Sequence, residues 1–367
     1  MTGARHLYVH LPFCAHRCGY CDFVTVVGRE SQHAAYVDAL LGELELERPL
    51  LASSLETIFL GGGTPTFTSL PELVRLLESL PPAAEVTVEA NPETVTAELA
   101  RALRAAGVTR VSLGAQSFRP HLLQTLERVA GPDDVRRAVH HLRDANFDNI
   151  SLDLIYGIPG QSASDLGTDL GDALALAPEH LSCYELEAKP GTRFTHAWGT
   201  ELARQADAME DYFERVVAVL TGAGYRWYET ANFCRVDGER DLRSRHNLGY
   251  WLGHDYLGLG IGAVSTIENR RWRNTPRLGR YLAAVASGAR PERELEEVDE
   301  ATRARERVML GLRLDEPLPL RGLAGALDPA GLERVAGLGL AEHTDASLAL
   351  TERGRFLGGA VTVELLA

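Results

Sequence analysis

The sequence predicts an α/β fold, a barrel or partial barrel of parallel strands followed by a small separate module. Short apolar or β-branched segments alternate with longer amphipathic segments through the first two-thirds of the chain. This alternation is typical of right-handed strand–helix–strand crossovers in a parallel sheet. Glycine-rich or polar residues follow several short segments, as on the active rim of a barrel. The chain of 367 residues is long enough for one barrel-sized domain and an appendage.

Each predicted strand is a short run of apolar or β-branched residues, and each predicted helix is a longer run with an apolar face. The predicted strands cover residues 6–11, 56–60, 86–90, 110–113, 150–155, 180–186 and 226–230. The predicted helices cover residues 31–51, 70–80, 95–106, 132–145, 164–177 and 205–223.

The pattern changes twice along the chain. Residues 232–297 are rich in Gly, Arg, Tyr and Trp with poor periodicity, which predicts loops and short strands laid over the core. From residue 298 the pattern is helical again and ends in short apolar runs, which predicts helices followed by a small β-wing. We therefore predict a core at 1–231, a loop-rich segment at 232–297 and a C-terminal module at 298–367.

The composition of the chain restricts the classes of partner that the protein can bind. The 51 acidic and 37 basic residues give a net charge of −14, which repels phosphate backbones and anionic membranes, so we expect no nucleic-acid partner. The first residues lack the pattern of a signal peptide, and no apolar run is long enough to span a bilayer. We therefore expect a cytoplasmic protein without a transmembrane segment.

Three of the five cysteines, Cys14, Cys18 and Cys21, fall within eight residues. In a reducing compartment such a cluster more often binds metal or performs redox chemistry than forms disulfides. The spacings of four and three let one loop wrap an iron–sulfur cluster and leave one iron open. Structural zinc is usually bound by four protein ligands, so a zinc site would have to recruit His10 or His16. Spacing alone leaves the cluster, zinc and unligated thiols open.

Three further features favour a ligand site. Gly61-Gly62-Gly63-Thr64 follows a predicted strand and lets backbone approach a ligand closely, although it is also an ordinary tight turn. Glu89 ends a predicted strand, where it is either solvent-facing or needs a partner. Asp153 lies within a predicted buried strand, where a charge is rare unless it is paired or functional.

The run Tyr8-Val9-His10-Leu11-Pro12-Phe13-Cys14, followed by CxxxCxxC with an aromatic residue before the last cysteine, resembles the radical S-adenosylmethionine (SAM) signature of the HemN/HemW family. The resemblance covers essentially the whole chain. It implies a partial (β/α)6 barrel of the TIM type with a winged-helix-like C-terminal α+β module. It also implies a [4Fe-4S] cluster on Cys14, Cys18 and Cys21. The SAM-binding residues that it implies are Tyr8, Gly62, Gly63, Thr64, Glu89, Gln116, Arg128 and Asp153.

Within this family the sequence is more similar to the heme chaperones than to the oxygen-independent coproporphyrinogen III oxidases. Phe23 stands where the oxidase has a fourth cysteine, and the cluster begins at residue 14, which leaves no room for the oxidase's N-terminal extension. The resemblance implies that the run 246–251 contacts heme. The implied heme residues are His246, Asn247, Tyr250 and Trp251. Without the family, His246 is more often a hydrogen-bonded residue than an iron ligand.

The resemblance therefore implies a chaperone that binds heme and delivers it to heme-accepting proteins, as a monomer or homodimer, with at most SAM cleavage as an enzymatic activity. The alternative is a HemN-like enzyme, a methyltransferase or cyclopropanase of a small molecule, with coproporphyrinogen oxidation less favoured. Three positions depart from the family pattern, which puts details of the substrate or heme pocket in doubt. They are Ala130 and Val264, where His is usual, and Lys189, where Glu is usual.

Overall fold

The computed structural model describes residues 3–187, 189 and 193–367, without the side chain of Arg193. The barrel is built from six parallel strands that are neighbours in chain order. They are β1 (His6–Leu11), β2 (Leu55–Gly62), β3 (Ala83–Ala90), β4 (Arg110–Gln116), β5 (Ile150–Tyr156) and β6 (His180–Glu185). This confirms the partial barrel. Several strands extend beyond their predicted ends, because the glycine and polar residues that follow the apolar runs continue the ladder.

The helices that connect these strands pack outside the barrel. They are α1 (His33–Glu47), α2 (Leu70–Ser79), α3 (Ala97–Ala105), α4 (Pro120–Thr125), α5 (Pro132–Asp144), α6 (Ala163–Ala175), α7 (Arg193–Gln205) and α8 (Met209–Gly222). Alternate strand residues such as Leu7, Val9 and Leu60 are fully buried in the apolar core. The intervening residues, such as Tyr8, Ser112 and Ser182, line a polar interior cavity. The barrel can therefore hold a polar ligand.

The remaining strands of the main sheet extend it on both sides. They are β7 (Tyr225–Glu229), β8 (Asn232–Arg235), β9 (Tyr256–Leu259), β10 (Val264–Ile267), β11 (Arg270–Asn274) and β12 (Arg293–Glu297). The sheet order is β12-β11-β10-β9-β1-β2-β3-β4-β5-β6-β8-β7. Strand β9 is parallel to β1, whereas β7, β8, β10, β11 and β12 pair antiparallel. The strand predicted at 226–230 thus exists but does not continue the parallel series. The sheet is open, since β12 and β7 are its edges.

The segment predicted to be loop-rich contributes β8 to β12 and two helices, α9 (Arg245–Trp251) and α10 (Leu278–Ala286). Glu43 of α1 fastens this segment to the barrel. Its carboxylate accepts hydrogen bonds from the Gly260 N–H (2.8 Å), the Asn274 amide (2.7 Å) and the Tyr281 hydroxyl (2.7 Å). Burial raises the pKa of Glu43 to about 7.

The C-terminal module has its own apolar core around Val308, Leu348 and Leu365. Its elements are α11 (Glu300–Gly311), β13 (Leu318–Pro319), α12 (Pro329–Gly337), β14 (Ala341–His343), β15 (Ser347–Leu350), α13 (Glu352–Phe356) and α14 (Gly358–Leu365). The three strands form a separate antiparallel sheet in the order β13-β15-β14. This agrees with the predicted helices and small β-wing. No helix in the described part of the chain has the length and hydrophobicity needed to cross a membrane.

Candidate functional site

A cavity of about 450 Å³ opens at the carboxyl ends of the barrel strands. The three clustered cysteines line it together with seven of the eight residues implied to bind SAM. These seven are Gly62, Gly63, Thr64, Glu89, Gln116, Arg128 and Asp153. The eighth, Tyr8, lines a smaller inner cavity of about 230 Å³, which shares Gly62, Glu89 and Asp153 with the larger one. Residues up to 145 positions apart in the sequence, from Tyr8 to Asp153, thus line two adjoining cavities of the barrel.

The cysteine loop is fixed at its base. Phe13–Cys14 pairs with Val26–Val27 as a two-residue parallel bridge, which closes the loop that carries Cys18 and Cys21. The Thr64 hydroxyl donates to Cys14 Sγ at 3.5 Å. Burial raises the pKa of each thiol, so metal binding at this loop must displace protons.

The arrangement of the thiols fits an iron–sulfur cluster better than one zinc ion. A tetrahedral zinc at a Zn–S distance of about 2.3 Å places sulfur atoms roughly 3.8 Å apart. The three thiols do not form a set whose Sγ atoms all lie within 4.8 Å of one another, among the residues that the structure describes. Of the two histidines that zinc could recruit, His10 contacts the Val24 carbonyl through Nε2 at 2.8 Å. His16 Nε2 contacts the Glu127 carbonyl at 2.6 Å and lies 3.8 Å from Cys18 Sγ.

The glycine-rich turn is explained by close packing. Gly62 has φ +108°, and a Cβ there would lie 2.3 Å from the His10 ring. A Cβ on Gly63 would lie 2.5 Å from the backbone of Pro12. Only glycine lets the turn after β2 approach the start of the cysteine loop this closely. The Thr64 N–H then donates to the Phe13 carbonyl at 2.9 Å, which joins the two segments.

Two half-buried carboxylates face the cavities. Glu89, at the end of β3, accepts a hydrogen bond from the Gly62 N–H at 3.1 Å. Burial raises the pKa of Glu89 to about 7, and the nearby carboxylate of Asp153 adds to the rise. Asp153, in the middle of β5, accepts hydrogen bonds from the Ser112 hydroxyl at 3.1 and 3.2 Å. Burial raises the pKa of Asp153 as well.

The two other polar residues implied to bind SAM are Gln116 and Arg128. Gln116, the last residue of β4, has φ +63°, a left-handed conformation that is uncommon outside glycine and clusters at functional sites. The Arg128 guanidinium donates to Asn91 Oδ1 (2.9 Å) and to the Gly114 carbonyl (2.8 Å). Asn91 also donates to the Thr64 hydroxyl at 3.0 Å, so it connects the glycine-rich turn to Arg128.

Sequence reasoning missed Arg110, which lines the inner cavity. Arg110 is 2% exposed, and its Nε has no hydrogen-bond partner within the described residues. Its positive charge opposes the burial that raises the pKa of Glu85, Glu89 and Asp153. A charged residue within a predicted buried strand is the feature that singled out Asp153. The same feature could have identified Arg110, because Arg110 is the first residue of such a strand. Asn91 gave no such signal, since it lies in a loop.

Of the four residues implied to contact heme, Asn247 lines the inner cavity beside Tyr8 and Glu89. The other three line neither of the two cavities described above. His246 is 1% exposed; its Nδ1 contacts Thr57 Oγ1 at 2.7 Å and its Nε2 contacts the Tyr250 hydroxyl at 2.9 Å. Burial lowers the pKa of His246 to about 3, so the ring is neutral.

Helix α9, which carries these residues, is anchored at its N-terminus. Glu85 accepts from the Arg245 and His246 N–H groups at 3.3 and 3.2 Å, where the helix dipole favours a carboxylate. Trp251, at the other end, lies under the Arg313 guanidinium at 4.5 Å from its ring centre. The position of α9 is thus set by the barrel on one side and by the C-terminal module on the other.

The three departures from the family pattern fall in different places. Lys189 lines the larger cavity and forms an ion pair with Glu187 at 2.6 Å. Ala130 is buried, 4% exposed, and Val264 begins β10. Residues 190–192, which follow Lys189, lie outside the described residues.

Comparison with known proteins agrees with this geometry. Residues 8–173 match the radical SAM superfamily, and residues 298–357 match the HemN C-terminal domain. The solved structure of the coproporphyrinogen III oxidase HemN from Escherichia coli, a radical SAM enzyme, is similar with a TM-score of 0.83 at 24% identity, over 99% of this chain and 90% of that chain. The fold and the site therefore define a radical SAM protein.

Sequence similarity to individual proteins narrows the class of radical SAM protein. A heme chaperone HemW from Mycobacterium tuberculosis is 38% identical over 98% of this chain and 94% of its own length. The heme chaperone HemW from Bacillus subtilis is 34% identical over 96% of this chain and 97% of its own length. The heme chaperone HemW from Escherichia coli is 38% identical over 75% of this chain and 76% of its own length. The chain belongs to the HemW family.

Proposed function

We propose that this protein is a heme chaperone whose barrel carries a [4Fe-4S] cluster and SAM, and that it delivers heme to heme-dependent proteins. The observation that supports this best is the convergence of three thiols and a set of polar SAM-site residues on one open cavity, in a chain related over its whole length to proteins named heme chaperones. Cytoplasmic location and a monomeric or homodimeric state are part of this proposal.

In this proposal Cys14, Cys18 and Cys21 hold the cluster and leave one iron open for SAM. When bound, the cluster and SAM supply reductive cleavage of SAM to methionine and a 5′-deoxyadenosyl radical. The chain positions them. Thr64 and the glycine turn fix the edge of the cluster loop, while Glu89, Gln116, Arg128 and Asp153 offer hydrogen bonds to the polar groups of SAM.

We expect SAM affinity to rise with pH through about pH 7. SAM carries a sulfonium charge, which favours ionised Glu89, so binding must release the proton that the pKa of about 7 retains at lower pH. Below that pKa the affinity should change by up to about tenfold per pH unit. Equilibrium binding to reconstituted protein between about pH 5.5 and 7.5 measures this. Glu89→Gln should flatten the profile, and an equally steep profile in that variant would assign the titration to another group.

The experiment that tests the chaperone function is a heme titration of anaerobically reconstituted protein, with and without SAM. We expect a heme absorption band that saturates at a fixed stoichiometry, and transfer of that heme to an apo-heme protein. Formation of 5′-deoxyadenosine is followed in parallel. A protein that cleaves SAM in the presence of a small-molecule acceptor but binds no heme would instead be an enzyme of the methyltransferase or cyclopropanase kind.

We propose that heme contacts the segment 246–251, with Asn247 as the member that a ligand in the inner cavity reaches directly. Tyr250 and Trp251 offer aromatic faces to a porphyrin, and a neutral imidazole such as His246 can ligate iron. Ligation by His246 requires that its bond to Thr57 or to Tyr250 opens, since both ring nitrogens are engaged.

His246→Ala and Asn247→Ala separate these roles. His246→Ala removes one of the two partners of the buried Thr57 hydroxyl, the other being His6, and loss of such a hydrogen bond typically costs about 0.5–1.5 kcal/mol, so its stability should fall. Asn247→Ala should leave stability nearly unchanged. Weaker heme binding and a shifted heme spectrum in both variants, compared at equal folded fraction, would support a heme site at this segment. Unchanged affinity and spectrum in folded His246→Ala would remove His246 from it.

A further inference from the structure

A second cluster of potential metal ligands lies at the amino end of the barrel strands, opposite the cysteine cavity. His6 begins β1, Glu56 lies near the start of β2, and His254 precedes β9. The parallel register brings them together, because His6 is level with Thr57 on one side and with Tyr256 on the other. The three residues come from positions up to 248 apart in the sequence.

The ligand atoms of these side chains are close enough to share one ion. His6 Nε2 lies 3.1 Å from His254 Nδ1 and 3.8 Å from Glu56 Oε2. A tetrahedral ion with bonds of about 2.0–2.1 Å places its ligand atoms roughly 3.3 Å apart. Within the described parts of the chain, this is the one set of three His, Cys, Asp or Glu side chains whose ligand atoms all lie within 4.8 Å of one another.

A contact between His6 and Thr57 also supports the site. His6 Nδ1 contacts Thr57 Oγ1 at 2.8 Å, which fixes the ring and directs Nε2 toward His254 and Glu56. Partners of this kind orient the histidine ligands of protein metal sites. His6 is 4% exposed, and its ring stacks on that of His254 with 5.3 Å between centres.

We propose that His6, Glu56 and His254 bind a divalent transition-metal ion of the zinc type, with solvent as the fourth ligand. Two imidazoles and one carboxylate are a ligand set that suits zinc, and His254 and Glu56 are exposed enough for entry of the ion. The ion would tie β1, β2 and the loop before β9 to one another.

One hydroxyl group connects this site to the interior of the barrel. Thr57 contacts both His6 (2.8 Å) and His246 (2.7 Å), and His246 in turn contacts Tyr250 (2.9 Å). An ion that fixes His6 therefore also restrains two rings of α9, those of His246 and Tyr250. Metal at the amino end would make α9 more rigid.

The competing explanation is a stacked pair of hydrogen-bonded histidines that holds no ion. One positive charge favours it, because Arg5 forms an ion pair with Glu56 Oε1 at 2.5 Å. Glu56 Oε2, the oxygen that faces His6, is the one left for a metal.

The test uses the full chain with its iron–sulfur cluster reconstituted, so that the thiols are occupied, and zinc chloride as the probe. After gel filtration we expect one zinc per chain in the wild type and none in His254→Ala, with equal iron content. Loss of a direct ligand should weaken zinc binding by about 100-fold or more, since loss of a supporting partner alone costs 10- to 100-fold. Glu56→Gln, at a half-exposed position that tolerates change, should weaken it as well.

His140→Ala is the matched control. His140 is exposed and forms a pair with Asp144 at 3.3 Å, with no third ligand close enough among the described residues. It should retain zinc binding in full. Wild type without zinc under these conditions, or His254→Ala and Glu56→Gln that both bind zinc like the wild type, would overturn the proposal.

Discussion

Replacement of Cys14, Cys18 or Cys21 by serine should abolish incorporation of the iron–sulfur cluster. We expect the reconstituted wild type to hold about four iron and four sulfide per chain, because three thiolates with one open iron suit a cubane. Serine is similar in size to cysteine but is a poor ligand for iron, so the loop should still fold. Iron and sulfide analysis, together with the visible absorption of the cluster, measures the effect.

Cys183 and Cys234 provide the controls. Cys183 is 3% exposed within β6 and Cys234 is 4% exposed within β8, and neither lines the cavities. Cys183→Ala and Cys234→Ala, which avoid burying a hydroxyl group, should retain the full iron content. A His254→Ala protein that takes up zinc but no iron at its cysteines under the same anaerobic conditions would rule out the cluster.

Asp153→Asn should lower SAM affinity by one to two powers of ten while the cluster is retained. The carboxylate faces both cavities and is held by the Ser112 hydroxyl, so it is directed at the cavities and not at the apolar core. Removal of a charged hydrogen-bond partner typically costs about 1.5–3 kcal/mol, which corresponds to roughly 10- to 150-fold in affinity. Equilibrium binding of SAM to the reconstituted variant measures the loss.

Asp169→Asn is the matched control for a buried carboxylate with a structural role. Asp169 accepts hydrogen bonds from the Ser117 hydroxyl (2.6 Å) and the Phe118 N–H (2.7 Å) and lines neither cavity. Its replacement should lower the thermal midpoint of unfolding and leave SAM affinity unchanged. If Asp153→Asn behaved in the same way, with lost stability and unaltered SAM binding in the folded fraction, Asp153 would be structural.

Prediction from sequence succeeded where the signal is local and regular. The six parallel strands follow from apolar runs that alternate with amphipathic helices. It was weaker at 232–297, where the strands β8 to β12 have only four or five residues and carry arginine and glycine. Such strands have little periodicity of their own and are formed by pairing with the existing sheet. The motif at 246–251, read as part of a loop-rich segment, is a helix because Glu85 caps it and the barrel supports it.

The sequence alone determined the cysteine triplet, the glycine turn and the charged residues inside buried strands, because each of these is a short-range departure from ordinary composition. It also determined the family, through the signature around Cys14. Only the tertiary structure decided which of these side chains share a cavity, that His246 is buried with both ring nitrogens engaged, that Arg110 lies unpaired at Nε beside Glu89 and Asp153, and that His6 meets Glu56 and His254. Those outcomes depend on the register of parallel strands far apart in the chain, and no local pattern encodes that register.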